Sequence, residues 1–357
     1  MSSLHFLSYY FPPIPSVASR RNQYIYTELR KQFDNTYRYV TSNALHFPNN
    51  EDASAKETTY YIKTFDYRTL ALKYSKQQRG QLHYDETRKQ QSYIRFLIRL
   101  NETLPFSLLI GEGGGRFIWN AVRKILANMD HTSDNVLFTS FRPTADIIVG
   151  YIVKYFRPEC RWIISMHDLP YTRQRPNVYF PRLQQMIWKR LLSKANHLIT
   201  VSDGLTQAIQ AYGVKATTLL NGVQIRAPRS AENEFFTISY TGSIYRQLMD
   251  PSILMDCLSQ LVADHHLDPT KVRLNYAGKD SVYWMSHAHK YPNLKSIFID
   301  YGLIPQCDAM SLQEKSNINY LMSWNDEQLH GVLTGKLFEY LGARNPILAL
   351  INGKKTT

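Results

Sequence analysis

The chain has 357 residues, 44% of them hydrophobic and 20% charged, which is the composition of a soluble globular protein with room for two domains. It has no apolar run of the roughly 18 residues that a membrane span needs, and its first residues lack the basic start and apolar core of a secretory signal. Three isolated cysteines exclude a metal-binding spacing and a disulfide framework, so we expect a reduced, cytoplasmic compartment.

The net charge of +13 is unevenly distributed along the chain. Residues 1–222 contain 29 Lys and Arg against 16 Asp and Glu, whereas residues 223–357 contain 13 of each kind. The whole excess therefore belongs to the first part of the chain. An anionic membrane surface, a phosphorylated lipid or a nucleic acid could all be attracted by it, and solvated surface charge without a partner is the alternative.

Short apolar runs of strand length alternate with helical patterns along the first part of the chain. This alternation is typical of an α/β protein with parallel sheets. The strands are predicted at residues 4–10, 59–64, 135–139, 161–166 and 197–201. The helices are predicted at residues 19–32, from the glycine-rich 111–116 segment to about 129, from about 144, and at 180–194.

A second series of strands and helices follows a seam near residues 222–235. Its strands are predicted at residues 236–241, 272–277, 294–299, 318–323 and 347–350. Its helices are predicted at residues 251–263 and 308–316, and a short one begins near 335. The sequence therefore predicts two doubly wound units, whose ligands bind beyond the carboxyl ends of the strands.

The segment at residues 331–350 carries the clearest sign of a ligand site. Lys336 and Glu339 lie three residues apart in the short helix, so they share one helix face. Gly342 then ends the helix, and an apolar strand follows. A cation and a carboxylate at the start of a helix beside a sheet edge suit a phosphorylated ligand that contains a sugar.

Several short motifs together resemble one protein family. The segments HLITVSDGL, LLNGV, ISYTGS and GKLFEYLGARNPILAL follow one another at the spacing found in glycosyltransferase group 1 proteins (family 4), and SYYFPP, SFRP and SMHDLP also have counterparts there. The resemblance covers most of residues 4–352 and is nearest to bacterial transferases of surface-polysaccharide assembly. It implies the α/β GT-B fold, in which two Rossmann-like domains face each other across a cleft. The first, at 1–222, would bind the acceptor, and the second, at 223–357, would bind the nucleotide-sugar.

The resemblance gives the short helix a defined role in donor binding. It implies that Glu339 binds the ribose of the nucleotide, and a carboxylate can accept hydrogen bonds from two adjacent hydroxyls. Gly335, Lys336 and the backbone amides of 332–336 would face the diphosphate. The alternative is an exposed Lys336–Glu339 pair that contributes only a few tenths of a kcal/mol, on the order of 0.3, to the helix.

Further donor contacts are implied at the end of the first strand of the second domain. Gly242 lacks a Cβ, so a phosphate could approach the backbone there and at Ser243. Relatives have an arginine directly after this glycine and a lysine about five residues further on. In this chain Arg246 is the substitute cation, and a surface role for it is the alternative.

The first domain is implied to supply the remaining site residues. His167 corresponds to a histidine near the transferred sugar, with Asp168 orienting its ring, and a purely local hydrogen-bonding role is the alternative. Ser16, Arg20 and Arg142 are the candidates for acceptor binding. The loop before Ser16 has a proline where relatives have small glycines, so the glycine-rich approach to a phosphate is not available there.

The implied reaction moves a sugar from a nucleotide-sugar to a hydroxyl of a saccharide or lipid-linked saccharide, with retention of configuration. No Asp-x-Asp pair for a divalent cation is present, so we expect no metal and no cofactor besides the donor. The basic first domain favours a peripheral position at the inner face of the cell membrane, where its helix at 180–194 could lie on an anionic bilayer; a domain helix with a solvated basic face is the alternative for this helix.

Two departures from the family pattern leave rival interpretations open. Relatives have a second glutamate where Gly331 stands, and they continue for tens of residues beyond the last strand, so we expect a second domain that is incomplete at its C-terminus. The first rival is a truncated, weak or inactive homologue that only binds nucleotide. The second is a nucleic-acid-binding protein, suggested by the charge and 25 tyrosines, but no RNA- or DNA-binding module is recognisable.

Overall fold

A computed structural model describes most of the chain. The described residues are 1–12, 14, 16–42, 57–64, 96, 99–100, 102–110, 112–131, 134–170, 178–223, 225–226, 234–246, 249–325 and 334–353. The chain divides into two compact units, Met1–Leu220 and Asn221–Thr357, against the predicted division after residue 222. We call them the first and the second unit and describe each by itself.

The first unit contains a seven-stranded sheet in which all neighbouring strands are parallel. The strand order is β3-β2-β1-β4-β5-β6-β7, so the direction of winding reverses between β1 and β4. The strands are β1 Ser2–Ser8, β2 Asn35–Thr41, β3 Glu57–Ile62, β4 Asp134–Phe141, β5 Arg161–Met166, β6 His197–Thr200 and β7 Ala216–Thr218. This reversal is the point at which doubly wound sheets bind ligands.

Helices connect these strands and cover both faces of the sheet. They span Val17–Leu29, Ser107–Ile110, Gly114–Asn128, Thr144–Phe156, Pro181–Leu192 and Asp203–Gln210, with a 3-10 turn at Arg30–Gln32. The central strands β1 and β4 are buried on both faces over nearly their whole length because both faces are covered. On one face Phe6 stacks on Phe138 with ring centroids 4.6 Å apart, and on the other Trp162 is fully buried.

The second unit contains a five-stranded parallel sheet of order β10-β9-β8-β11-β12. Its strands are β8 Phe236–Thr241, β9 Val272–Ala277, β10 Phe298–Asp300, β11 Ile318–Asn325 and β12 Ile347–Gly353. Its helices span Ser252–Ala263, Ser281–Ala288, Gln306–Lys315 and Gly335–Ala343, with a 3-10 turn at Pro292–Leu294. Stacked rings of Tyr240, Tyr276 and Trp284 fill the core beside β8 and β9.

The predicted fold class, two doubly wound α/β units with parallel sheets, is confirmed. Three strands have both of their predicted end residues: Arg161–Met166, Phe236–Thr241 and Val272–Ala277. The strand predicted at 294–299 is wrong in its first half. Pro292 starts a 3-10 turn there, which buries Leu294 and Ile297 without a strand, and β10 begins only at Phe298.

Packing in the first unit makes Gly150 a sensitive position. A Cβ at Gly150 would lie 2.4 Å from the Trp162 ring, which is buried and cannot move aside, since its Nε1 donates to Thr139 Oγ1 at 2.9 Å. We expect Gly150→Ala to lower the free energy of unfolding by about 2 kcal/mol and the melting temperature by roughly 4–8 °C.

The matched control is Gly115→Ala, also in a helix of the first unit. A Cβ there meets nothing closer than 3.7 Å, and alanine is the better helix former. The melting temperature of this variant should be unchanged or slightly raised. Equal melting temperatures for the two variants would show that Gly150 is not packed as described.

Candidate functional site

In the second unit, the end of β8 and the start of the helix Gly335–Ala343 come together. Gly242, directly after β8, has a φ of 132°, a conformation that favours glycine. A Cβ at this position would lie 1.9 Å from both Cε and Nζ of Lys336. The lysine side chain thus occupies the space that a side chain at residue 242 would fill. The structure places these two predicted donor-binding residues against each other.

The loop that contains Gly242 is fixed by hydrogen bonds to the end of β9. Gly242 N donates to Ala277 O at 2.6 Å, and the Tyr276 hydroxyl donates to Gly242 O at 3.1 Å. The Tyr276 oxygen in turn accepts from Asp280 N at 2.9 Å, and Asp280 Oδ2 accepts from Ile244 N at 2.9 Å. Burial raises the pKa of Tyr276, so its hydroxyl stays protonated and remains a donor. The loop is therefore held in place before any ligand arrives.

Positive charge is concentrated around this loop. Lys336 Nζ lies 6.0 Å from the centroid of the Tyr240 ring, and the Tyr240 hydroxyl donates to Ser243 O at 2.7 Å. Arg246 is exposed, with its guanidinium 5.2 Å from the Tyr283 ring, and its charge acts to lower the pKa of Tyr276. Of the predicted cations, Lys336 lies at Gly242, whereas Arg246 lies at the solvent side of the same loop.

The N-terminus of the helix Gly335–Ala343 adds further hydrogen-bond donors. Thr334 precedes the helix in an extended conformation, and its side chain caps no N–H group of the first turn. Its hydroxyl oxygen is buried and has no hydrogen-bond partner among the described residues. A helix start with unsatisfied N–H groups carries partial positive charge. The predicted amides of residues 332 and 333 lie outside the described residues.

Glu339 lies one helical turn beyond Lys336, and both side chains are half-buried. The Gln313 amide Nε2 donates to Glu339 Oε2 at 3.2 Å and to Thr241 Oγ1 at 2.8 Å. Arg226 donates to the backbone oxygen of Glu339 at 2.7 Å and to Gln313 Oε1 at 3.0 Å. The sequence interpretation missed Gln313 and Arg226, because they are 26 and 113 residues from Glu339 and no local pattern distinguishes them.

In the first unit, His167 follows β5 directly. Its Nε2 lies 2.9 Å from Ser140 Oγ at the end of β4. Burial, and then the nearby Arg21 cation, lowers the pKa of His167 to about 3, so the ring is neutral at physiological pH. Asp168 is exposed, and the described hydrogen bond of the ring goes to Ser140 rather than to Asp168, which had been predicted to orient it.

Two of the three predicted acceptor residues, Ser16 and Arg142, have local structural roles. Ser16 caps the helix Val17–Leu29 by accepting from Ser19 N at 3.0 Å, which uses one acceptor position of its hydroxyl. Arg20 is half-buried in the first turn of that helix. Arg142 pairs with Glu102 at 3.1 Å. Their contribution to acceptor binding stays a prediction.

Arg21, next to Arg20 in the same helix, has a buried side chain. Arg21 is 5% exposed and donates to the backbone oxygens of Leu219 and Leu220 at 2.6 and 3.0 Å. Burial lowers the pKa of Arg21 to about 10, which still leaves it charged at neutral pH. This buried cation is the charge that His167 experiences. Helical spacing could not have located Arg21, because it lies off the face that Ser19, Asn22 and Tyr26 form at spacings of three and four residues.

Asp146 is a further buried group at the reversal point of the first sheet. It lies in the first turn of the helix after β4, and its Oδ2 accepts from Tyr9 N, just after β1, at 2.9 Å. Complete burial raises the pKa of Asp146 well above its ordinary value. Asp146 therefore links the two loops between which the winding reverses. Within the described ranges, no three His, Cys, Asp or Glu side chains are grouped so that they could hold a metal ion.

The protonation state of His167 is directly testable. Because its pKa is lowered to about 3, we expect a neutral ring at about pH 5, where an unperturbed histidine is largely protonated. The unfolded chain binds this proton below about pH 6.5, so the residue should reduce stability as the pH falls from 6.5 towards 3.

The measurement is the nitrogen NMR spectrum of histidine-labelled protein at about pH 5, in which His167→Gln identifies the signal by its loss. The lost signal should be that of a neutral imidazole. The melting temperature of the variant should also depend less on pH between 6.5 and 4 than that of the wild type. A protonated His167 ring at this pH would contradict the lowered pKa.

Comparison with known proteins gives structural matches only. No model of a known protein family matches the chain, and no curated protein sequence matches it. The solved structures that match include a UDP-forming α,α-trehalose-phosphate synthase from Burkholderia xenovorans, with 9% identity and a TM-score of 0.59 over 98% of this chain and 84% of that one.

Two further solved structures match over similar shares of this chain and of their own. Sucrose-phosphate synthase from Thermosynechococcus elongatus has 12% identity and a TM-score of 0.53 over 99% of this chain and 82% of that one. The lipopolysaccharide outer core galactosyltransferase WaaB has 10% identity and a TM-score of 0.52 over 97% and 80%. At such low identity the likeness establishes the fold alone. The chain has the GT-B fold, which these proteins share.

Proposed function

We propose that the protein transfers a sugar from a nucleotide-sugar to a hydroxyl group of a saccharide acceptor. The observation that carries this proposal is the placement of the Lys336 ammonium against Gly242, with Glu339 one turn further along the same helix. Its support from comparison is that proteins of this fold include a UDP-forming synthase and a galactosyltransferase.

The proposed diphosphate site consists of Lys336, the helix start at Gly335 and the loop at Gly242 and Ser243, with Arg246 as an outer cation. When the bond between the sugar and the diphosphate breaks, negative charge develops on the leaving phosphate oxygen. A cation and backbone N–H groups that are already in place stabilise that charge without reorganisation. The fixed loop at Gly242 supplies this rigidity.

The proposed ribose site is the Glu339 carboxylate. A carboxylate has enough lone pairs to accept from two ribose hydroxyls while keeping a hydrogen bond from Gln313. For the sugar itself, His167 stays the predicted contact and Asp168 its predicted neighbour. The neutral ring of His167 can donate one hydrogen bond to a sugar hydroxyl or accept one from it, but it lacks the second ring proton that a general acid would give up at neutral pH.

The finer parts of the proposal rest on the sequence motifs. They are membership of glycosyltransferase family 4, retention of configuration, independence of a metal, and a lipid-linked saccharide acceptor in cell-surface polysaccharide synthesis, with Ser16, Arg20 and Arg142 as acceptor contacts. The rival is a weak or inactive homologue that binds nucleotide only. Turnover of nucleotide-sugars by the purified protein separates the two.

A second surface supports the proposed position at a membrane. On the helix Pro181–Leu192, Leu183 and Met186 are 50% and 69% exposed, and Phe180 before the helix is 71% exposed. Arg182, Lys189 and Arg190 on the same helix are exposed as well. Apolar side chains between basic ones fit an anionic bilayer surface, which also suits the basic charge of residues 1–222. None of the helices described is long and apolar enough to cross a membrane.

Removing the Lys336 charge tests the donor site. We expect one of UDP, GDP, ADP or dTDP to raise the melting temperature of the wild-type protein, because a ligand of the folded state stabilises it. Lys336→Gln should weaken binding of that nucleotide roughly 10- to 100-fold, the effect of losing a charged hydrogen bond. The matched control is Lys295→Gln, an exposed lysine of the same unit, which should bind as the wild type does.

The readouts are thermal shift and calorimetry. If no nucleotide binds the wild type, or if Lys336→Gln and Lys295→Gln bind equally well, the donor site is not at Lys336.

Vesicle binding tests the membrane surface. The wild type should sediment with vesicles containing about 30 mol% phosphatidylglycerol and not with purely zwitterionic vesicles. The double variant Leu183→Asp, Met186→Asp should lose this binding, because it removes apolar contact and adds negative charge. An equally charged control, Val282→Asp with Leu303→Asp, alters exposed apolar residues of the second unit and should bind like the wild type. Equal binding by both double variants would place the membrane contact elsewhere.

A further inference from the structure

We propose that Gln313 is a positioning residue: its side-chain amide sets the orientation of the Glu339 carboxylate towards the ribose and ties it to the diphosphate loop at Gly242. This inference rests on the proposed function, since it concerns the same donor site. Gln313 lies in the helix Gln306–Lys315, is 1% exposed and is not itself a candidate for contact with the ligand.

The hydrogen bonds of Gln313 define which way its amide faces. Its Oε1 accepts from the Arg226 guanidinium, which can only donate. Its two Nε2 hydrogens must then point away from Arg226, and they reach Thr241 Oγ1 at 2.8 Å and Glu339 Oε2 at 3.2 Å. In the reversed orientation, Oε1 would face the carboxylate and the NH₂ group would face the arginine. Two acceptors and two donors would then oppose each other, so this orientation is excluded. Glu339 therefore has a donor at a fixed position on one of its oxygens.

Arg226 contacts both the helix that carries Glu339 and the helix that carries Gln313. Its backbone N–H donates to Gly342 O at 3.0 Å and its guanidinium to Glu339 O at 2.7 Å, both in the helix that carries the site. The same guanidinium donates to Met310 O at 3.2 Å and pairs with Glu314 at 3.1 Å, both in the helix of Gln313. With side chains only 10% and 16% exposed, the Arg226–Glu314 pair holds the two helices in register.

Thr241 connects this network to the diphosphate loop. It is the last residue of β8 and precedes Gly242. Its hydroxyl accepts from Gln313, and its backbone N–H donates to the Tyr340 hydroxyl at 3.1 Å, next to Glu339. The carboxylate proposed for the ribose and the loop proposed for the diphosphate are thus joined through one amide. Such preorganisation fixes the spacing at which a nucleoside diphosphate is recognised.

The experiment compares a ribonucleotide with its sugar-modified analogue. The probes are the ribonucleoside diphosphate, among UDP, GDP and ADP, that binds the wild type best, and its 2′,3′-dideoxy form. By calorimetry we expect the wild type to bind the ribonucleotide at least about tenfold more tightly, and Gln313→Met to reduce this ratio at least about threefold. The affinity of Gln313→Met for the dideoxy form should stay within about twofold of the wild-type affinity, because the dideoxy form lacks the hydroxyls that Glu339 would hold.

Two further variants separate positioning from folding. Gln184→Met is the matched control, since Gln184 is also 1% exposed and bonds the backbone of Leu104 at 2.9 and 3.0 Å, but in the first unit. It should leave the ratio unchanged. Thr241→Val removes the other acceptor of the same amide and should lower the ratio too, which keeps the test open if Gln313→Met does not fold. In a Glu339→Ala background, Gln313→Met should change the ratio no further.

The outcomes are distinct. A wild type that prefers the ribonucleotide, with a preference that Gln313→Met and Thr241→Val leave intact, overturns the positioning role and leaves the proposed function standing. A wild type that binds nucleotide without preference removes the ribose role of Glu339 and this inference with it. Binding of no nucleotide overturns the proposed function itself.

Discussion

The close approach of Lys336 to Gly242 is the constraint on which the second unit depends. A lysine side chain can occupy this space only because residue 242 has no Cβ and adopts a φ of 132°. That conformation requires support, and it comes from β9: Ala277 and Tyr276 hold both polar groups of the Gly242 backbone. Gly278 is part of the same arrangement, because a Cβ there would lie 2.1 Å from Gly242 O. A local glycine requirement thus specifies the packing of two neighbouring strand ends.

In each unit, an arginine with a largely buried side chain donates to backbone oxygens. In the first, Arg21 binds the backbone oxygens of Leu219 and Leu220, at the end of that unit. In the second, Arg226 binds backbone oxygens of the helix Gly335–Ala343, close to the start of that unit. A guanidinium suits this task because it has five donors in a fixed plane and stays charged when its pKa falls. Each unit therefore fixes its own end of the chain segment that joins them.

The sequence predicts features that depend on residues close together in the chain, and it does not predict contacts between residues far apart in it. The strand Phe236–Thr241 alternates apolar with hydroxyl side chains over six residues, so its bounds are visible in the local sequence. Lys336 and Glu339 share a helix face three residues apart, which spacing alone predicts. Sequence alone does not show that Arg21 is the buried one of two neighbouring arginines, because they differ only in the side of the helix that they face. Gln313 acts across 72 residues on Thr241, a distance at which no local pattern carries information.

The chemistry of residue 313 explains why an amide suits this position. A lysine there would pair with Glu339 and neutralise it, whereas a glutamate would repel it and compete for Arg226. An apolar side chain would remove one hydrogen bond from the Thr241 hydroxyl and one from the Arg226 guanidinium, although Arg226 would keep its bonds to Met310 O and Glu339 O. It would also remove the donor that Gln313 gives to Glu339 Oε2. Glutamine offers a donor to the carboxylate and an acceptor to the arginine while carrying no charge. It can therefore orient Glu339 and still leave its negative charge for the ligand.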